Sequence, residues 1–251
     1  MFSNEDKFED DRNIIETFIE RSSQTLEVFD IPESYTVESK DLQSLLASCK
    51  NLKRYCAFNT KDGDVALTFQ DVVSKEWACL DLKELCIQLT RRDRRLGPSG
   101  ENEDGLIILE SEELSKMAKL VYGQIGRLSK LEGLAIGHDQ DEDWDEIEEI
   151  FQNDLTLKNG WLSELSGLKE LKHFQMMTDF WTGMGQAEVE FMHENWPRLE
   201  RLKKITFGIG WASFTNHIWE QPHWQWLKSQ RPTLEFGYDY DDPESLVDRA
   251  S

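Results

Sequence analysis

The side chains that could do chemistry form a few small groups, and each group stops short of a working site. Asp139, Asp141, Asp143 and Asp145 stand two residues apart, at positions 1, 3, 5 and 7 of an EF-hand-type calcium loop. The rest of that loop fails: Trp144 stands where glycine must make the sharp turn, Glu146 where an apolar residue belongs, and Ile150 where a bidentate glutamate closes the site. The run DQDEDWDEIEE is therefore expected to be a solvated acidic loop rather than a metal site. Four cysteines form two equally spaced pairs, Cys49–Cys56 and Cys79–Cys86. Zinc would call for close C-x2-4-C clusters with further ligands nearby, so the thiols are expected to be structural. The five histidines are scattered, and His193-Glu194 is followed by Asn-Trp-Pro, which completes no H-E-x-x-H zinc motif. Gly97-Pro98-Ser99-Gly100 is one residue short of a G-x-S-x-G nucleophile elbow, and Gly183-Met-Gly185 and Gly208-Ile-Gly210 lack a phosphate-loop continuation. No catalytic, cofactor-binding or metal-ligating residue is expected, and the chain does not read as an enzyme.

Charge narrows the partners. In 251 residues, 28 basic side chains face 49 acidic ones, for a net charge of -21. Such a chain repels phosphate backbones and anionic bilayers, so neither nucleic acid nor membrane is an expected partner. Arg91–Arg95 (RRDRR) is the one dense basic patch, more simply a loop that pairs with surrounding acids than a nuclear-import or nucleic-acid element. The N-terminal MFSNEDKFEDD lacks the basic and apolar regions of a signal peptide, and no apolar run approaches the roughly 18 residues that cross a bilayer. With thiols read as free, an intracellular protein is expected, cytoplasmic or nuclear. Nine Trp, thirteen Phe and a 39% hydrophobic share supply ample material for a packed core.

The elements that must carry these residues announce themselves through a recurring phrase: Leu, two residues, a large apolar residue, one residue, another apolar residue. It occurs as Leu26-Glu-Val-Phe29-Asp-Ile31, Leu82-Lys-Glu-Leu85-Cys-Ile87, Leu131-Glu-Gly-Leu134-Ala-Ile136, Leu171-Lys-His-Phe174-Gln-Met176 and Leu202-Lys-Lys-Ile205-Thr-Phe207. Leu52-Lys-Arg-Tyr55-Cys-Ala57 is a weaker copy, and a degenerate one opens at Leu234. Apolar residues two apart share one face of an extended chain, so each phrase predicts a short strand entered by a turn that buries its leucine. Helical spacing precedes most of them: Ile14, Ile15, Phe18 and Ile19; Leu42, Leu45, Leu46 and Cys49; Leu114, Met117, Leu120, Val121 and Ile125; Val189, Met192 and Trp196, with Pro197 ending the last. One strand and one helix per unit, repeated, predicts stacked units that bury their faces against one another.

This strand–helix phrase resembles an irregular, ribonuclease-inhibitor-like leucine-rich repeat. Trp77-Ala-Cys79-Leu-Asp-Leu82-Lys-Glu-Leu85, Tyr122-Gly-Gln124-Ile-Gly126-Arg-Leu128-Ser-Lys-Leu131-Glu-Gly-Leu134 and Glu188-Val-Glu190-Phe-Met192-His-Glu-Asn-Trp196-Pro197 resemble the repeat region of fungal F-box/leucine-rich-repeat proteins. The resemblance implies an α/β solenoid of about six or seven strand–helix units with an open parallel sheet on its concave side. It also implies a protein-protein interaction module, of the kind that recognises substrates for an SCF-type ubiquitin ligase receptor. Repeat-like sequence already begins near Leu26, so no F-box is expected within the chain, and ligase subunits would be partners of a longer form. The alternative is a ligase-independent scaffold or inhibitor, with a calcium-responsive protein behind it. Domains are expected at 1–12 (acidic tail), 13–240 (the repeats, with insertions 91–110 and 138–154 and an aromatic cap 211–236) and 241–251 (acidic tail). On the concave face the intervening residues would form the binding grid: Val28, Asp30, Arg54, Cys56, Glu84, Cys86, Gly133, Ala135, His173, Gln175, Lys204 and Thr206. Among these, Arg54, Cys56, Glu84, Cys86, His173, Gln175, Lys204 and Thr206 are the expected partner contacts.

Overall fold

Eight short strands align side by side and all in one direction. The structure, a computed structural model, describes residues 17–31, 37–57, 65–90, 111–138, 155–158, 160–177, 181, 183–206 and 218–240, with the backbone alone for 111, 114, 138, 177, 205, 206 and 238–240. The strands are β1 (Val28–Asp30), β2 (Arg54–Ala57), β3 (Ala66–Thr68), β4 (Glu84–Thr90), β5 (Gly133–His138), β6 (His173–Met177), β7 (Arg201–Thr206) and β8 (Glu235–Tyr240). They form one open parallel sheet in the order β1-β2-β4-β5-β6-β7-β8. β3 pairs with the second half of β4, beyond the stretch that β2 occupies. The fold is therefore α/β with a single all-parallel sheet.

Helices fill the returns between strands. Residues 17–22 are helical (α1), followed by α2 (Ser39–Ser48), α3 (Phe69–Ser74), α4 (Ser111–Gly126), α5 (Gln186–Asn195) and α6 (Pro222–Gln230). A 3-10 helix, Leu162–Gly167, takes the place of an α-helix before β6, and a shorter one, Ile218–Glu220, precedes α6. The predicted helices fall on α1, α2, α4 and α5; Ile14 and Ile15 lie outside the described residues. The sequence did not announce α6, expected only as part of an aromatic cap, nor the two 3-10 helices, nor the short elements β3 and α3. Thr68 ends β3 and also caps α3, its hydroxyl accepting from the Asp71 N–H at 3.1 Å.

Six of the strands, β2 and β4 to β8, are entered by the same turn. The N–H of Leu52, Leu82, Leu131, Leu171, Leu199 and Leu234 donates to the carbonyl three residues back, on Cys49, Cys79, Leu128, Leu168, Trp196 and Arg231. The two N–H groups that follow then donate to one carbonyl of the preceding segment: Lys53 and Arg54 to Glu27, Lys83 and Glu84 to Lys53, Glu132 and Gly133 to Lys83, Lys172 and His173 to Glu132, Glu200 and Arg201 to Lys172. The last segment is one residue shorter, so only Glu235 donates, to Glu200. These contacts fix the register, and the turn leucines are buried beneath it, all but Leu199 completely.

One continuous core joins helices and sheet. Tyr55, Leu85, Leu134, Phe174 and Leu202 share a register row and one face, and Ala57, Ile87, Ile136 and Met176 make the next row inward. Leu42, Leu45 and Leu46 of α2, Val121, Tyr122 and Ile125 of α4, and Val189 and Met192 of α5 are buried in the same cluster. Toward the C-terminal end it becomes aromatic: Trp181 packs edge-on to Phe174, Trp219 and Trp224, with centroids 5.9, 5.1 and 5.2 Å apart, and Trp219 stacks on Phe236 at 4.8 Å. The indole N–H of Trp181 donates to the Met176 carbonyl and that of Trp196 to the Leu165 carbonyl, so both bury without losing a hydrogen bond. Trp211 and Phe214 of the expected cap lie outside the described residues.

Three polar devices hold the irregular parts. Gln124 of α4 accepts from the Trp77 N–H at 2.8 Å and donates to the carbonyls of Val72 (2.6 Å) and Lys75 (3.0 Å). Gln43 of α2 donates to the same Lys75 carbonyl at 2.7 Å and accepts from the Trp77 indole at 2.8 Å. Buried Glu188 takes one N–H with each carboxylate oxygen, from Leu157 at 3.0 Å and Gly185 at 2.9 Å, tying α5 to the preceding loop. Arg231 closes the far end of α5, donating to the carbonyls of His193 and Trp196. Where α4 meets the first 3-10 helix, two glycines touch backbone to backbone. A Cβ on Gly126 would lie 1.9 Å from the Glu164 carbonyl oxygen, and one on Gly167 would lie 2.5 Å from that of Gly126.

Candidate functional site

The outer face of the sheet, opposite the core rows, follows directly from the register. Its first row is Val28, Arg54, Glu84, Gly133, His173, Arg201 and Glu235; its second is Asp30, Cys56, Cys86, Ala135, Gln175, Lys203 and Gly237. Ten of the twelve grid residues expected from the sequence occupy these two rows. The other two, Lys204 and Thr206, do not. Lys204 pairs with Met176 in the inward row and is fully buried, and Thr206 has the same parity on β7, paired in register with Tyr240. The physical reason is a three-residue slip. Leu199, not Leu202, makes the entering turn, one turn after Trp196-Pro197 ends α5, and Leu202 sits in the strand itself. Because three is odd, the slip exchanges the two faces. Arg201 and Lys203 are the outer-face residues that the repeating phrase concealed; the position of Pro197 was the signal that could have found them.

Burial corrects the grid a second time. Arg54, Glu84, His173, Arg201 and Lys203 remain partly accessible, and Val28 is 54% exposed. Cys56, Cys86, Ala135 and Gln175 are buried, so these outer-face positions are not free contact points. Small side chains in adjacent strands sit low on a sheet and are easily covered. Gln175 is the anomaly, a fully buried amide whose oxygen and nitrogen both find no hydrogen-bond partner among the described residues.

Charge on the accessible row is organised in pairs. The Arg54 Nε lies 3.1 Å from Asp30 on β1 and 3.6 Å from Glu84 on β4, bridging three strands. Arg201 reaches Glu235 at 2.8 Å. Burial pushes the Glu84 carboxyl above its ordinary range; Arg54 opposes that rise, while Asp30 and Glu132 add to it. His173 is held below its ordinary 6.5, first by burial and then by the Arg201 guanidinium on the next strand. A depressed imidazole pKa means that folding favours the neutral ring. The stabilisation is complete above pH 6.5 and is lost as pH falls through the lower folded-state value. Stability measured by urea titration should therefore fall on acidification through this range, and His173→Gln should flatten that part of the profile.

The cysteines are paired across segments rather than within them. Cys56 and Cys86 are register neighbours on β2 and β4, whereas Cys49 and Cys79 occupy the same place in successive entering turns. All four are free and buried. A hydrogen bond shared with Cys56, followed by burial, raises the Cys86 thiol, and burial pushes Cys79 up to about 12. Raised thiols are poor nucleophiles and poor ligands.

Below the first row, the entering turns form a charged border. Lys53, Asp81, Lys83, Lys130, Glu132 and Glu170 line a shallow groove of about 470 Å³. Lys53 pairs with Asp81 at 3.5 Å, and Glu132 bridges Lys83 (3.4 Å) and Lys172 (2.6 Å), so opposite charges join neighbouring segments along this border. Among the described residues, no three His, Cys, Asp or Glu side chains gather as a metal site, and no helix is long and apolar enough to cross a membrane. Asp139–Asp145, Arg91–Arg95 and Gly97–Gly100 lie outside the described residues. Comparison with known proteins adds no assignment: no family model matches the chain, and no curated protein matches it.

Proposed function

We propose that this chain is a protein-binding module, an irregular leucine-rich-repeat stack of the kind that recognises targets for a ubiquitin-ligase receptor. One observation carries the reading: six segments in succession use the same leucine turn and deliver each strand beside the last. Units that contact only their neighbours build an extended surface without a central cleft, and such surfaces suit protein recognition. The accessible polar side chains Arg54, Glu84, His173 and Arg201 supply the polar contacts that a protein interface requires.

The test is chemical cross-linking in the native cell with the tagged chain and with the Arg54→Glu/Arg201→Glu double variant. A defined protein lost in the double variant, recovered together with cullin-type ligase subunits, supports the reading. Loss of the target without any ligase subunit in either sample leaves a ligase-independent binder. Identical cross-links from both proteins remove this face as the binding surface.

A further inference from the structure

We propose that the open edge of β1 accepts an extended, basic segment of a partner protein, which adds to the sheet as a parallel strand. Five of the six segments that follow donate a pair of adjacent N–H groups to one carbonyl of the segment before. Glu27 and Val28 occupy the same place in the first segment, and among the described residues no carbonyl stands before them. The 3-residue β1 thus begins the ladder with its donors facing outward. A strand edge with unused donors is a template for an incoming strand.

The surroundings define the kind of segment. Val28 is 54% and Phe18 is 39% exposed, and Leu26, Phe29 and Ile31 are only partly covered, whereas their counterparts Leu52, Tyr55 and Ala57 are buried. This end of the stack therefore offers apolar surface to alternate side chains of an added strand. Toward the opposite end, by contrast, Trp181, Trp219 and Trp224 pack on one another and are buried. The described stretch through β1, residues 17–31, carries Glu20, Glu27 and Asp30 against one base, Arg21, and the whole chain carries -21, so charge complementarity selects a basic segment. The same acids disfavour a second copy, because twofold β1–β1 pairing would set Glu27 and Asp30 of one molecule against those of the other. The proposal concerns the backbone donors of the β1 edge, not the outer-face side chains Arg54 and Arg201, and stands or falls separately from the outer-face reading.

The probe is the peptide acetyl-Lys-Val-Lys-Val-Lys-Val-Lys-amide, added to the full chain and followed by amide hydrogen exchange. Exchange at the Glu27 and Val28 N–H groups should slow by about tenfold or more at saturation. Val28→Pro, which removes one donor at an edge where proline is tolerated, should weaken binding by about tenfold and leave thermal unfolding unchanged. Glu27→Lys should weaken it without altering the backbone, and the Glu-for-Lys version of the peptide should not bind. Protection spread over other acidic regions, equal binding by Val28→Pro, or a dimer of the chain alone that Val28→Pro dissolves would each overturn the proposal.

Discussion

Gly126→Ala should destabilise the protein by about 3 kcal/mol or more, lowering Tm by roughly 6–12 °C for a chain of this size. The added Cβ would meet the Glu164 carbonyl oxygen at 1.9 Å, and that oxygen belongs to backbone that cannot rotate aside. Relief would require the 3-10 helix Leu162–Gly167 to move away from α4. That movement would loosen Leu162 and Leu165, both fully buried, and the Leu165 carbonyl that accepts from the Trp196 indole. Gly123→Ala is the internal control. It lies one turn earlier on the same helix, where the nearest atom to a new Cβ is 3.9 Å away. There the usual helix preference for alanine should prevail and stabilise the protein by about 0.5–1 kcal/mol. Opposite signs for two identical substitutions three residues apart, read from urea or thermal unfolding, would establish the close backbone contact. Equal effects would refute it.

Gln124→Leu is the second substitution with a large expected effect. The side-chain volume is nearly conserved, so the change isolates hydrogen bonding. It leaves the Trp77 N–H without an acceptor and the Val72 carbonyl without its donor. The Lys75 carbonyl keeps its bond from Gln43. Two orphaned backbone groups in a buried site should cost about 3 kcal/mol together. Gln43→Leu should cost less, about 1–2 kcal/mol, because Gln124 still serves Lys75 and only the Trp77 indole is left unpaired. Since both amides meet at one carbonyl, the double variant should depart from additivity by about 0.5 kcal/mol or more. Strictly additive losses would show that the two glutamines act independently.

Much of this architecture was legible because two simple periods coincide. Leu85 and Ile87, Leu134 and Ile136, and Phe174 and Met176 alternate as strands do, and the leucine three residues before each pair marks the turn. The slip at β7 arose because Leu202 completes that phrase with Ile205 and Phe207, whereas Leu199 completes it only as far as Leu202, a lysine occupying the inward place that isoleucine or methionine fills in the neighbours. Local pattern cannot decide between two leucines when the distinguishing residue is a buried Lys204. β3 and α3 escaped for a different reason: at three and six residues, neither is long enough to display a period. The burial of Cys86, Ala135 and Gln175 was equally out of reach, since the register tells which face a residue takes and not what lies over it. Pairing of the cysteines between segments, by contrast, was implicit in their equal spacing.

The entering leucines Leu52, Leu82, Leu131, Leu171 and Leu199 are separated by 30, 49, 40 and 28 residues, yet every one makes the same turn onto its strand. Pitch is thus set by a few residues per segment, and the chain between them is free to vary in length. Each doubling of such a connection costs only about 0.6 kcal/mol in closure entropy. The sheet behaves as a keyed rail into which material can be spliced. Grafting a reporter between Thr90 of β4 and Ser111 of α4 would put this to use, since β4 and β5 pair through residues 84–89 and 133–138.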